Sequence, residues 1–359
     1  MVEYRHPMSS ELHYPFDGRP DDGEVMRVAP GILWVRMPIP IPGLDYINLW
    51  LIEDGDGWTM VDTGLRSRQI TELWEGIFSR ELGGKPVTRI VCTHFHPDHL
   101  GQAGAMAERW NARLWMTLGE WSFGRMLYLD SIPDVPEEII DFYRRSGFDE
   151  AQIERIRSRG YNTMQKALTP IPRSFRRIVH GERFVIGEHE WEVIVGRGHS
   201  PEHACLYCPA LNVMISGDQV LPKITPHLGV YANEPDSNPL KFYLASLAHF
   251  RHLPVDTLIL PAHNDPFTGL HARLDQMQDH HDVRLTRMAA GMAEPATVFD
   301  VLPLLFTRTL NPDSMFMAVG EALAHLHYLV SEGRAERIVD ADGIYRYRLL
   351  GEAAAAAAE

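Results

Sequence analysis

One short run constrains the fold more than any other. Val87-Thr-Arg-Ile-Val-Cys92, apolar and rich in β-branched residues, leads directly into Thr93-His-Phe-His-Pro-Asp-His99. The first part reads as a buried strand. A helical stretch over Leu100 to Trp110 and a further strand over Ala112 to Met116 follow, the order of a sheet covered by helices. In such α/β sheets functional side chains gather just past the carboxyl ends of strands, where His94, His96, Asp98 and His99 fall. Histidines two apart at the end of a strand can turn both imidazoles to one point. Asp98 and His99, a step later, can serve a neighbouring point. A solvated histidine-rich loop fits poorly between a buried strand and a helix.

The rest of the chain repeats this layout. Ile32 to Arg36, Ile47 to Ile52 and Trp58 to Val61 read as strands, the last two joined by the turn Asp54-Gly-Asp-Gly57. Arg68 to Leu82 has a helical apolar face and stops at Gly83-Gly84. Strands resume at 183–186, 191–195, 204–207, 212–216 and 256–260, with a helix over Leu240 to His252. Residues 1–30 read as an irregular arm. Residues 118–175 break the rhythm with amphipathic pieces, Glu137 to Arg145 and Asp149 to Ser158, and read as a helical insertion in a catalytic domain spanning 31–270. Beyond it, 271–350 offers three helices (276–290, 296–306, 314–332) and a hairpin turning at Asp342-Gly343, a winged-helix-like module. Residues 351–359 are a low-complexity tail.

Three further candidate ligands each stand just past a strand: His199 in Gly198-His-Ser200, Asp218 after Gly217, and His263 after Ala262. Any one alone fits an ordinary structural side chain. Together with the 94–99 cluster they form a set suited to divalent ions, since zinc takes imidazole and carboxylate ligands and a catalytic ion keeps a position for water.

That set resembles the metallo-β-lactamase superfamily: T-H-x-H-x-D-H-x-G, then His, Asp and His in that order, with an Asp62-Thr-Gly64 turn after the first hairpin, over residues 31–265. The resemblance implies an α/β fold, the αββα sandwich of two sheets flanked by helices. It implies that His94, His96 and His199 hold one metal ion, that Asp98, His99 and His263 hold a second, and that Asp218 bridges them. Asp62 would support the metal-binding loop from behind. Two divalent ions are implied, zinc first, with manganese or iron as alternatives. A hydroxide shared by the two would attack the substrate, with Asp98 and Asp218 as the catalytic carboxylates. Aspartate at 218, where one group of β-lactamases carries cysteine, resembles glyoxalase II, lactonases and the RNA-processing members. Histidine at 96, where the diiron flavoproteins carry glutamate, disfavours dioxygen or nitric oxide reduction.

Carbonyl and phosphodiester substrates are separated by charge. The net charge is −14, and residues 295–350 carry seven acids against five arginines, so no basic face for nucleic acid is expected. The expectation is a binuclear hydrolase of a thioester, lactone or ester of a small acid. The alternative is a phosphodiesterase or ribonuclease of the lactamase-β2-like type, whose C-terminal module resembles this one. Lys223, His227 and Tyr231 are candidates for the substrate pocket. Phe123, Met126, Leu127, Tyr128, Ile139, Phe142 and Tyr143 could line an apolar pocket or pack the insertion's own core. Three sparse cysteines, Cys92, Cys205 and Cys208, give no disulfide framework. With neither a signal-like start nor a membrane-length apolar run, a cytoplasmic protein is expected, with a small-molecule substrate, no membrane partner and a possible homodimer.

Overall fold

Antiparallel hairpins open each of two sheets, and parallel strands close them. In the computed structural model, which describes residues 12–40, 44–161, 163–307 and 310–351, β1 (Val25–Ala29), β2 (Ile32–Pro38), β3 (Tyr46–Asp54) and β4 (Gly57–Val61) form a meander. β5 (Val87–Val91), β6 (Arg113–Met116) and β7 (Arg176–Arg177) extend it in parallel, in sequence order. The second sheet follows the same plan. β8 (Arg183–Ile186), β9 (His189–Gly196), β10 (His203–Cys208) and β11 (Val213–Gly217) run antiparallel, and β12 (Leu258–Pro261) joins β11 in parallel. A parallel pair needs a crossover. α1 (Arg68–Arg80) supplies it between β4 and β5; α2 (Pro97–Leu100) and α3 (Ala103–Trp110) supply it between β5 and β6.

Strand alternation decides what each face buries. Ile32 and Trp34 of β2, with Trp50 and Ile52 of β3, face Trp191, Val193, Leu206 and Ile215 of the other sheet. Leu33, Val35, Met37, Leu49 and Leu51 point the opposite way, onto Ile70, Trp74, Ile77 and Phe78 of α1 and Leu100 and Met106 beyond it. Each such fully buried side chain contributes about 1.5–3 kcal/mol. The outer face of the second sheet is closed by the chain after Ser246. His249 Nδ1 donates to the Val195 carbonyl at 2.9 Å, and Ser246 Oγ accepts from Arg197 N at 3.1 Å. The layering is helix, sheet, sheet, helix, as the resemblance implies.

The chain divides into two units. The first takes 1–131, 162–226 and 246–274; the second takes 132–161, 227–245 and 275–359. The segment expected as one insertion is therefore shared. α4 (Leu118–Leu129) and α7 (Met164–Ala167) lie in the first unit, where Trp121, Phe123, Leu127, Tyr128 and Met164 pack on the helix-covered core. α5 (Glu137–Arg145) and α6 (Glu150–Arg159) lie in the second, with Asp149 accepting from Gln152 N as a capping box. There Tyr143 and Phe148 meet Phe316, at 5.8 and 5.6 Å between ring centroids, and Ile139 and Phe142 are buried. Met126 is exposed.

α8 (Pro239–Leu247) and α9 (Leu270–Ala290) precede α10 (Val298–Leu305) and α11 (Pro312–Ser331), and the hairpin β13 (Ala335–Val339) and β14 (Tyr345–Leu349) completes the second unit. Its turn passes through Gly343 at φ +82°. The arm expected over 1–30 contains a strand, β1, because Val25 to Arg27 can pair with Leu33 to Val35 despite the surrounding turn residues. The arm's first eleven residues and the tail at 352–359 lie outside the described residues. All three cysteines are buried and unpaired. No helix among the described residues is long and apolar enough to cross a membrane.

Candidate metal centre

Local backbone chemistry presents the ligands. After β5 the chain bends through Thr93 to His96, the last with φ and ψ of −60° and 149°, and Pro97 then opens α2 at its first position. The bend presents His94 and His96, and the helical turn brings round Asp98 and His99. His199 follows β9. Asp218 follows Gly217, whose φ is +51° and where a Cβ would lie 2.5 Å from the His203 ring. A side chain there would clash with the imidazole that accepts the Asp218 backbone N–H at 3.1 Å. His263 follows β12.

These seven residues meet at one end of the sandwich, in two groups. His94, His96, His199 and Asp218 offer ligand atoms within 4.8 Å of one another, and so do Asp98, His99 and His263. His94 Nε2 lies 2.8 Å from His96 Nδ1 and 3.2 Å from His199 Nε2. Asp218 Oδ2 stands 3.2 Å from His199 Nε2 and 3.6 Å from His99 Nε2; its Oδ1 stands 3.5 Å from His263 Nε2. Asp98 Oδ2 is 3.4 Å from His263 Nε2 and 3.7 Å from His99 Nε2.

Outer partners fix which ring nitrogen points inward. Asp62, at φ +60°, accepts from Thr93 N at 2.8 Å, from Thr93 Oγ1 at 2.9 Å and from His99 Nδ1 at 2.7 Å. A positive φ at a non-glycine residue is costly and concentrates at functional sites; here it swings the carboxylate behind the ligand loop. His263 Nδ1 donates to the Tyr46 carbonyl at 2.9 Å. Both histidines thus aim Nε2 at the carboxylates.

The residues fit divalent ions. In a core where buried polar atoms are normally paired, His99 Nε2 and Asp218 Oδ1 are buried without a hydrogen-bond partner. Metal ligation requires neutral imidazoles. Burial, reinforced by the neighbouring rings, holds His94 well below the ordinary histidine range and lowers His96 to about 3, whereas the surrounding aspartates draw His99 and His263 upward against burial. Burial opposes the charge of Asp218, but His263 and His99 keep it ionised, well below the carboxylate range. Seven imidazole and carboxylate ligands, with no thiolate, define a borderline-to-hard set.

The pocket candidates have partners of their own. Lys223 Nζ is 3.6 Å from Asp265 Oδ2 and 5.4 Å from the Tyr14 ring centroid, in the first unit. His227 and Tyr231 belong to the second unit, where His227 Nε2 is 2.7 Å from Tyr231 Oη and His227 Nδ1 is 3.6 Å from Glu321 Oε2.

Sequence reasoning passed over His203, fully buried behind Asp218, and Glu120, fully buried on α4. The His199-Ser-Pro-Glu-His203 spacing was a usable signal for His203. Glu120 had none, since its partners lie 25 and about 80 residues away.

The sequence profile of a family described as the Metallo-beta-lactamase superfamily matches residues 42–263, and that of a Metallo-beta-lactamase-like C-terminal domain matches 285–350. A beta-lactamase domain protein from Burkholderia ambifaria is 41% identical, with a TM-score of 0.88 over 96% of this chain and 99% of its own. A metallo-beta-lactamase family protein from Thermus thermophilus is 28% identical, with a TM-score of 0.76 over 90% and 100%. An inverting sec-alkylsulfatase from a Pseudomonas species, 17% identical with a TM-score of 0.55 over 86% of this chain and 50% of its own, shares the fold.

Proposed function

This chain belongs to the metallo-β-lactamase superfamily and is a metal-dependent hydrolase, and from that premise we propose a binuclear centre acting on a carbonyl substrate: a thioester, lactone or ester of a small acid. The observation that carries the binuclear reading is Asp218, whose Oδ2 addresses His199 and whose Oδ1 addresses His263. Two divalent ions, zinc first and manganese or iron as alternatives, supply Lewis-acid stabilisation of an oxygen that gains charge and lower the pKa of water towards neutrality.

The chain's own residues supply the rest. Asp62 holds the His99 Nδ1 proton, so His99 keeps one tautomer throughout. The Tyr46 carbonyl does the same for His263. Asp98, with its side chain 13% exposed against 0–9% for His94, His99, His199, Asp218 and His263, is the ligand carboxylate most open to an arriving molecule. That suits it to orient water and accept a proton from it.

Charge favours a carbonyl over a phosphodiester. Of the arginines in the C-terminal hairpin, Arg337 pairs with Asp236, Arg346 with Asp340 and Arg348 with Glu336. Little positive charge remains there for phosphates. Accordingly the partner we assign is a small molecule rather than nucleic acid. Three buried, unpaired thiols suit a reducing cytoplasm.

The test is metal content and turnover together, on wild type and Asp218→Ala, against a panel of thioesters, lactones and esters plus a single-stranded RNA. About two metals per chain, with carbonyl turnover lost in the variant, is the expected result. Cleavage of RNA alone would transfer the proposal to nucleic acid. Carefully prepared wild type that binds no divalent ion would overturn the metal centre.

A further inference from the structure

We propose that Glu120 is a positioning residue that clamps the two ligand-bearing loops of the first metal group to each other. The inference rests on the metal-centre reading above and adds to it a residue outside the ligand set.

Glu120 is the third residue of α4 and is fully buried. Its Oε2 accepts from Phe95 N at 3.1 Å, the peptide between His94 and His96. Its Oε1 accepts from Ser200 Oγ at 2.6 Å and Glu202 N at 2.7 Å, immediately after His199. One carboxylate therefore joins two loops whose ligands, His94 and His199, are 105 positions apart and must bring their Nε2 atoms within 3.2 Å.

The start of α4 is stitched to the second loop in return. Gly119 N donates to Glu202 Oε2 at 2.8 Å, and Thr117 Oγ1 donates to the Glu202 carbonyl at 2.8 Å. The next turn of α4 presses on the first loop. The Phe123 and Phe95 ring centroids are 4.9 Å apart, and a Cβ on Gly124 would come within 2.9 Å of the Phe95 Cβ. α4 is thus a strut with one loop on each side, and Glu120 is its cross-pin.

A buried carboxylate is costly without strong partners. Among the described residues, Glu120 forms no ion pair with lysine or arginine, and its oxygens are spent on three donors in these two loops. Packing α4 alone would not require a carboxylate at this position; holding two separated backbones in register requires an acceptor with two oxygens.

Glu120→Gln is the sharp variant. A carboxamide can accept at one end, but its NH₂ end faces a donor and cannot accept from it. Ser200→Ala removes one bond and leaves the carboxylate, so it serves if Glu120→Gln folds poorly. Two readouts are needed on the full chain. Amide hydrogen exchange on metal-free protein reports the clamp itself, and stepwise zinc affinity by chelator competition reports its effect on ligation. In Glu120→Gln, exchange across 94–96 and 200–203 should accelerate while β2 and β3 stay protected. One of the two zinc-binding steps should weaken about 10–100-fold, with the other changing less than about threefold.

Unchanged exchange and affinity would overturn the inference. So would an equal fall in both zinc steps with a matching fall in Tm, which is what a merely structural role gives. If wild type bound no zinc, the proposed function would fail, and the exchange measurement would still decide the clamp.

Discussion

His94 and His99 in the first unit and His281 and His325 in the second are equally sheltered from water, yet their ring nitrogens are used in different ways. In the second unit the rings form a donor-to-acceptor chain. His325 Nδ1 donates to the Glu321 carbonyl one helical turn back at 2.7 Å, which leaves its Nε2 an acceptor facing His281 Nδ1 at 3.3 Å. The Glu321 carboxylate is paired with Arg284. In the first unit the outward nitrogens of His99 and His263 are tied to Asp62 and Tyr46, and the rings of His94, His96 and His199 crowd together, His94 Nε2 lying 2.8 Å from His96 Nδ1 and 3.2 Å from His199 Nε2. His281 Nε2 also lacks a partner, but among the described residues only the first unit gathers three or more ligand atoms. Burial does not separate a ligand from a core histidine, and neither does the far nitrogen's partner, a backbone carbonyl for both His263 and His325; the convergence of three or more ligand atoms does.

The largest effect that could break this contrast is on stability. Arg284→Met strips the largely buried Glu321 carboxylate of its guanidinium partner, and unfolding should become easier by about 3–5 kcal/mol. The loss should shrink on acidification, as Glu321 takes up a proton. Metal stoichiometry should be unaffected; a loss of bound metal would mean the two histidine regions are not independent.

Next is Asp62→Asn, which keeps the shape behind His99 but weakens the acceptor of its Nδ1 proton. Metal affinity should fall about 10–100-fold, read by chelator competition. Unaltered affinity would remove Asp62 from the orienting role.

pH sharpens the comparison further. Burial lowers both His281 and His325 below the ordinary value of about 6.5, against the pull of Glu321 and with Arg284 and, for His281, His280 adding to the lowering. Their neutral forms belong to the folded state, so stability from this pair is complete above about pH 6.5 and declines as pH falls below it. The slope is about 1.4 kcal/mol per pH unit for each proton taken up on unfolding. Hydrogen exchange of α11 between pH 7 and 5 measures it, and a flat profile would show that the pair is not held neutral.

The smallest expected effect is a control. His281→Gln should leave zinc affinity and turnover within about twofold of wild type, as befits a residue outside both ligand groups. A larger change would make the second histidine region part of the function.

Much of the fold was legible where its signals are local. β5 followed by Thr93 to His99 declares itself by a buried run and ligand spacing, and Asp149 announces α6 as its cap. What escaped depends on distant contact. β1 is a strand because β2 accepts it, amid turn residues that read as irregular. The helical stretch expected over 100–110 breaks at Gly101, where a Cβ would sit 2.4 Å from the Gly64 carbonyl, a clash no reading of 100–110 contains. Nothing local in α4 or α5 says which core each joins: Phe123 and Leu127 of α4 pack on the first core, while α5 belongs to the second unit.

The order of ligands along the chain sets a timetable. His94, His96, Asp98 and His99 leave the ribosome more than a hundred residues before Asp218, and His263 comes later still. The first group is complete only once Asp218 has been made, and the second only with His263. A growing chain therefore carries a half-built cluster of candidate ligands while the 164 residues from His99 to His263 are added, and a complete site has to wait for the last strand of the second sheet.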